Sequence, residues 1–548
     1  MFRLAPRSPW TQPFGTPRTT ESMTNHPRLT MPRMPRAILT LIAGAAVLTA
    51  APSAGAGQSW TTADPVLERI WEMGMEESQL EELGRALLDS IGPRLTGSPG
   101  IDRAHDWAVQ TLEGWGINAE NEQYGTWRGW DRGITHVDLL EPRVRTLEAT
   151  QLAWSPPSGG PIEGPVVLIP EWADEGEYSA WLENEVPGSF VAISFPEPTC
   201  RPDSHYETFG TDGALTRMSQ ERAAAAQAFA GRIPSQIGAF RRELEDAGAL
   251  GILQSGWATG TTGVNRIFGT NTRTAPTIDL SCEDYGLVAR LAESGQAPML
   301  RVNTESVDLG EVPVFNTIGR IEGTERPEEY VILSAHYDSW DGASGATDNG
   351  TGSITMLEAM RILSEVHPQP TRTILIALWG GEEQGLNGSR RFAAMHPIIV
   401  ENLQALFNQD NGTGRVVNIS MQGLVEAGDP WSRWISRIPS EITDHIALGL
   451  PGVPSSGGTD HASFICHGAP AFSLSSLSWG YGSHTWHTNR DTYDKLVFEE
   501  LRNNATLIAM LAYLAAEDPE TVSRTRRSEL PGGAEWPTCQ PGQSSFGG

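Results

Sequence analysis

The sequence predicts an α/β fold: a layered protein with a largely parallel, mixed sheet and a smaller β/α domain set into it. Three observations lead there. From residue 306 onward, apolar runs of strand length alternate with helical patterns; residues 131–305 have a different texture and interrupt that rhythm; and 548 residues exceed what one hydrophobic core usually fills.

Taken in order, the chain opens with Arg33 and Arg36 ahead of an apolar run from Ala37 to Ala51. That run is too short and too small-sided to span a bilayer comfortably, and Ala54-Gly55-Ala56 suits a small-x-small cleavage site. Residues 1–56 therefore read as a signal peptide cleaved after Ala56. The mature protein is expected to be secreted or periplasmic, with no stable membrane anchor. In residues 65–90, Leu67, Ile70, Met73, Leu80, Leu83 and Leu87 recur at helical spacing. GPRLTGSPG (92–100) breaks that helix, and a second runs from Ile101 to Trp115 and stops at Gly116. Residues 57–130 thus form the first part of the larger domain.

From about 131, PVVLIP (165–170) and SFVAISF (189–195) are short β-prone runs among Pro and Gly. A helical tract from Thr216 to Ala247 breaks near Pro234, and Leu250–Leu253 reads as a strand. No cluster of carboxylates and histidines marks 131–305, which reads as an inserted domain. Over 306–520 the candidate strands are YVILSA (330–335), TILIALW (373–379), ALFNQ (405–409) and PAFSLSS (470–476); the candidate helices are 353–366, 388–395 and 499–517. Residues 521–548, rich in Pro, Gly, Ser and Arg, are expected to fray as a flexible tail.

A net charge of −28 excludes nucleic acid and anionic membranes as partners, since the chain lacks the cationic excess that phosphate neutralisation needs. The single lysine, Lys495, reads as a compositional bias. Four cysteines without CxxC spacing argue for disulfides and against a Cys-ligated zinc. Three pairings are open, and Cys200 with Cys282 is favoured only because both lie in the inserted stretch.

Ligand-type residues fall where a parallel sheet places its sites, at the carboxyl ends of strands. His336 and Asp338 follow 330–335, Glu382 and Glu383 follow 373–379, and Asp410 follows 405–409. Asp348 precedes the 353–366 helix, and His487 lies in the polar loop SHTWHTNRDTYD. Any one of these alone is most simply a turn former or a cap. Together they make a donor set of imidazole and carboxylate without thiolate, which suits zinc; a shared carboxylate is the usual way to hold two metals about 3.5–4 Å apart. Of the adjacent Glu382 and Glu383, one is then free to take a proton from water while the other binds metal. Asp338, two residues beyond His336, is placed to accept its other imidazole N–H.

With HYD (336–338), TDNGTG (347–352), GGEEQGLNGS (380–389), QD (409–410), GGTDHASF (457–464) and WHTNRDTYD (486–494), the chain resembles the co-catalytic di-zinc exopeptidases, and within them the carboxypeptidase Q type. The motifs cover most of 306–520. The 131–305 insertion resembles a protease-associated domain. The resemblance implies a three-layer sandwich and two zinc ions per chain, one held by His336, Asp348 and Asp410 and the other by Asp348, Glu383 and His487. It implies hydrolysis of a terminal peptide bond by a hydroxide held between the metals, with Glu382 as general base and then acid, and a cis peptide at Asp348-Asn349. Substrates would be small peptides, cleaved as by an aminopeptidase or a dipeptidase of the carboxypeptidase Q type.

One position departs from the pattern: relatives commonly carry Tyr or His where this chain has Trp486, whose indole cannot give up a proton at ordinary pH. Oxyanion stabilisation would then fall to zinc, with Tyr481, His484 or His461 as helpers. Asp460, His461, Trp486 and Tyr481 are the candidate substrate contacts, although Asp460 serves equally well as a helix cap. Arg94 is either a substrate-carboxylate contact or half of an ion pair. A non-catalytic receptor-like relative would be expected to have lost ligands, and a single-zinc glutaminyl-cyclase-like one to lack the insertion. Two roles stay open for the insertion: gating the cleft, or making a homodimer.

Overall fold

The computed structural model describes residues 62–543; the signal peptide read over 1–56 lies outside them. A long antiparallel ribbon runs through the sheet. It consists of β1 (Asn118–Glu141) and β8 (Met299–Ile321), paired from Asn118 opposite Arg320 to Glu141 opposite Met299. Between them in sequence lie six short strands: β2 (Arg145–Leu147), β3 (Ala149–Gln151), β4 (Ile162–Leu168), β5 (Phe190–Ala192), β6 (Gly251–Gln254) and β7 (Thr277–Leu280). After β8 come β9 (Arg326–His336), β10 (Arg372–Trp379), β11 (Leu403–Asn408), β12 (Val416–Ser420), β13 (Ala447–Gly449) and β14 (Ala471–Ser476).

The sheet is mixed and mostly parallel. On one side of β8 the order is β10, β9, β11, β14, β12, β13, and on the other it is β4, β5, β6, β7, β3. Strands β10, β9, β11 and β14 run parallel, as do β4 to β7. The ribbon strand β8 meets both β10 and β4 antiparallel.

Side-chain alternation explains why β9, β10 and β11 read as continuous apolar runs. Val331, Leu333, Ile374, Ile376, Leu378, Ala405 and Phe407 pack on one face, against the helices Thr351–Val366 and Phe498–Glu517. Ile332, Leu375, Ala377, Trp379 and Leu406 pack on the other, against Phe392 and Phe464. Both faces of a central parallel sheet are covered, so apolar residues follow one another along the strands instead of alternating with polar ones. Each of the buried Val, Leu, Ile and Phe side chains among them contributes roughly 1.5–3 kcal/mol. The result is a rigid platform whose carboxyl edge carries the site.

The β4–β7 part repeats the logic on a smaller scale. Phe190 and Ala192 pack with Leu253, Ile278 and Tyr285 on one face, and Val191 and Ile252 pack with Phe240 and Leu244 on the other. The disulfide Cys200–Cys282 lies in this part, and a second joins Cys466 to Cys539.

Four expectations need correction. The helix read over 65–90 is three pieces, Pro65–Met75 capped by Asp64, Leu80–Gly84, and a wider π turn Arg85–Ile91. The boundaries drawn at 130/131 and 305/306 fall inside β1 and β8. That ribbon escaped notice because NAENEQYGTWRGWDRGITHVDLLE is half-exposed and polar, so its apolar alternation is faint. The stretch expected to fray is fastened through residue 543: Val522 is buried, Cys539 is disulfide-bonded, and the Trp536 indole donates to the Ile465 carbonyl at 3.0 Å. Composition alone cannot see a covalent tie to a residue 73 positions away.

Candidate metal centre

The carboxyl edges of three neighbouring parallel strands bring the first ligands together. His336 is the last residue of β9, Glu382 and Glu383 lie in the turn after β10, and Asp410 follows β11 by two residues. Asp348 arrives on a short turn, Ala346–Gly350, that leads into the helix Thr351–Val366 and contains a cis bond between Asp348 and Asn349. This turn sits close to the β11 edge: a Cβ at Gly352 would run into the Gln409 carbonyl and the Asn349 side chain, which accounts for the glycine in TDNGTG. His487 comes from the loop after Tyr481–Thr485, with a left-handed backbone (φ 58°) that non-glycine residues adopt only where surroundings enforce it.

These residues form two groups sharing one carboxylate. His336 Nε2 lies 3.3 Å from Asp348 Oδ1 and 3.2 Å from Asp410 Oδ1. His487 Nε2 lies 3.2 Å from Asp348 Oδ2 and 2.8 Å from Glu383 Oε2. Within each group one donor atom per residue lies within 4.8 Å of the others. Asp348 Oδ2 and Glu383 Oε1 are buried without a hydrogen-bond partner, so the protein alone leaves acceptors unsatisfied there. Burial, with neighbouring carboxylates adding to it, holds Glu382 and Glu383 well above the usual carboxylate range. A buried cluster of this sign, made of imidazole and carboxylate oxygens, fits a divalent cation such as zinc.

Asp338 does something other than expected. The His336 Nδ1 partner is the Asp338 backbone carbonyl at 3.0 Å, while its carboxylate stands 3.8 Å from that nitrogen. The carboxylate instead accepts the amides of Glu382 (3.1 Å) and Glu383 (3.2 Å) and the Thr96 hydroxyl (3.2 Å). One residue therefore orients an imidazole through its backbone and the paired glutamates through its side chain.

Arg94 pairs with no carboxylate among the described residues. Fully buried, it donates to the carbonyls of Gly92, Tyr337, Ser344 and Gly345 at 2.7–3.1 Å, fastening the turn before Asp348. Asp491, in the loop after His487, reaches across to the Asp348 turn: its two oxygens accept the amides of Thr347 (2.8 Å) and Asp348 (3.0 Å). Burial pushes its carboxyl up to about 7.

Asp460 does not cap the helix Ala462–Ile465, which has no side-chain cap. It is fully buried, its charge bears on Glu382, and burial lifts its carboxyl to about 7. His461 is buried beside it and pushed down to about 4 for the same reason. Tyr481 and Trp486 line a cleft of about 480 Å³ together with Asp348, Glu382, Glu383 and His487. His484 lines a neighbouring pocket with Trp479. The Trp486 indole stacks on the His487 imidazole at 3.9 Å between centroids, and Phe268 meets that imidazole edge-on at 5.2 Å.

Phe268 belongs to the inserted stretch, which no cluster of carboxylates and histidines marks, and its neighbours hold the His487 loop. The Ile267 amide donates to the His487 carbonyl at 2.8 Å. Asn265 and Asn489 are joined twice at 2.9 Å, through the Asn265 amide to the Asn489 side chain and the Asn489 amide to the Asn265 carbonyl. The Arg266 guanidinium lies 5.2 Å over the Trp486 ring and donates to the Gly482 carbonyl at 2.9 Å. Asn265 is itself pinned by Asp279 Oδ1 (2.6 Å) and the Leu280 carbonyl (2.7 Å).

Fold and site together define a metallopeptidase of the zinc exopeptidase type. Residues 316–512 match peptidase family M28. The chain is 25% identical over 458 residues to carboxypeptidase Q of Pongo abelii, covering 82% of this chain and 88% of that one. A peptidase M28 precursor from Shewanella amazonensis SB2B shares the fold with a TM-score of 0.61 at 22% identity, covering 84% of this chain and 98% of that one. A zinc aminopeptidase from Bacillus subtilis does so with a TM-score of 0.52 at 17% identity, covering 82% and 98%. Among the described residues no helix is long and apolar enough to cross a membrane.

Proposed function

We propose that this protein is an exported exopeptidase with two zinc ions per chain, hydrolysing the terminal peptide bond of small peptides. The observation that carries the reading is the sharing of Asp348 between two donor groups, His336–Asp348–Asp410 and Asp348–Glu383–His487. Those residues would hold the two metals; zinc supplies Lewis acidity that polarises a carbonyl and makes water acidic near neutral pH. Glu382 takes a proton from the attacking water and returns it to the leaving amine. A carboxylate that burial makes more basic than usual, as Glu382's is, takes up that proton more readily than an exposed one would. Asp338 keeps Glu382 and Glu383 in register by holding both amides. Trp486 and Tyr481 make walls for the substrate.

Two disulfides support export, because such bonds persist in oxidising compartments. The part built on β4 to β7 is read as an inserted protease-associated domain, its role being to hold the His487 loop.

Glu382→Gln is the test. Peptidase activity is expected to fall about 10²–10⁴-fold, the usual worth of a general base, while zinc per chain stays at two by elemental analysis. Substantial remaining activity with zinc in place overturns the role of Glu382.

A further inference from the structure

The cleft over the metal centre holds one cation that the chemistry above does not use. Arg390, on the helix Asn387–Met395 just after the Glu382–Glu383 turn, is the sole Arg or Lys among the cleft's lining residues. Its guanidinium makes no ion pair and no hydrogen bond among the described residues. The chain carries 67 Asp and Glu against 39 Lys and Arg, so carboxylate partners are plentiful and an unpaired arginine beside an acidic cluster stands out. Its neighbour Arg391, by contrast, donates to the Tyr124 carbonyl at 3.3 Å.

Bare backbone also lines this cleft. Gly457 and Gly458 line it, and neither amide donates a hydrogen bond within the described residues. A Cβ built on Gly457 meets no protein atom within 4 Å, so packing does not demand glycine there. A planar fork of N–H donors with no partner, in a cleft that also offers free amides, is a receptor for a carboxylate.

We propose that Arg390 binds the free C-terminal α-carboxylate of the substrate, so that the enzyme acts on dipeptides and other short peptides ending in a free acid. The inference rests on the exopeptidase reading and supplies what that reading leaves open, the end of the peptide that is recognised. A cleft of about 480 Å³ suits a ligand of this size. Within it, the carboxylate at Arg390 fixes the chain end, and the adjoining peptide carbonyl faces Glu382. An acidic side chain presents the same chemistry as an α-carboxylate, and the substrates below separate the two.

The zinc-loaded full chain and its Arg390→Gln and Arg390→Lys variants are assayed on Leu-Ala, Leu-Ala amide and Leu-Glu amide, with zinc content measured for each. Wild type is expected to cleave Leu-Ala with a KM at least tenfold below that for either amide. Arg390→Gln raises KM for Leu-Ala at least tenfold and leaves kcat, zinc content and both amides within twofold; Arg390→Lys restores part of the Leu-Ala KM. Equal use of Leu-Ala and Leu-Ala amide by wild type overturns the inference while leaving the exopeptidase reading intact, and so does an Arg390→Gln effect of the same size on both. If Leu-Glu amide matches Leu-Ala and loses as much on Arg390→Gln, the carboxylate belongs to a side chain and the α-carboxylate assignment is wrong. Failure of wild type to cleave any of the three overturns the exopeptidase reading itself, and this inference with it.

Discussion

The two halves of the candidate metal centre are built by different means. His336 and Asp410 stand at the ends of adjacent parallel strands, β9 and β11, whose register is set by fully buried apolar side chains. Their shared partner Asp348 is held from behind by Arg94 and Asp491. His487 instead rides on a loop with a left-handed backbone, 12% exposed against 1% for His336, and the contacts that seat it come from β-bridge and side-chain hydrogen bonds of the inserted segment. The first half is a by-product of forming the sheet. The second depends on a handful of contacts each worth about 0.5–1.5 kcal/mol, so it is the half that yields first when the structure is perturbed.

The contrast can be broken at its joint and then sharpened on one side. Asp348→Ala removes the carboxylate that both halves use; it is expected to release both zinc ions together and to cost more activity than the roughly 100-fold that marks loss of an outer-shell partner. A variant that keeps one zinc by elemental analysis would assign Asp348 to one half alone. Asn265→Ala, 71 residues before the nearest candidate ligand His336, frees the backbone that grips Asn489 from its side-chain anchors on Asp279 and Leu280, and should weaken only the second zinc, by about tenfold, in a titration that resolves two binding steps. Equal weakening of both steps would mean that the two halves are held as one. The smallest change is expected from Phe268→Leu, which gives up an edge-on aromatic contact to His487 worth about 0.5–1.5 kcal/mol; the second zinc should bind about threefold more weakly, with the first unchanged.

Legibility in the sequence followed the same division. The strands of 330–335, 373–379 and 405–409 were readable because both their faces are buried, and the residues at their ends followed from the rule for parallel sheets. His487 was readable only through a motif, since nothing in its local pattern marks a ligand. Asp338 was assigned the right neighbour and the wrong atom: spacing places it beside His336, but whether the carbonyl or the carboxylate faces the ring depends on the turn after β10, 44 residues on. Arg94 offered a guanidinium whose four partners are backbone carbonyls, and carbonyls carry no sequence signal at all. The clamp from Asn265 to Asn489 spans 224 residues, beyond the reach of any period or spacing rule.

By itself the sequence determined the layered α/β fold, the strand ends that carry ligands and the donor chemistry that suits zinc. Periodicity records which face of an element is buried, and residue type records what a side chain can bind. Tertiary structure alone decided that Asp348 faces both imidazoles, that the inserted segment seats His487, and that Arg390 stands in the cleft without a partner among the described residues. Those outcomes depend on loop closure and on register between elements distant in the chain, where local propensity gives no preference and the packed core makes the choice.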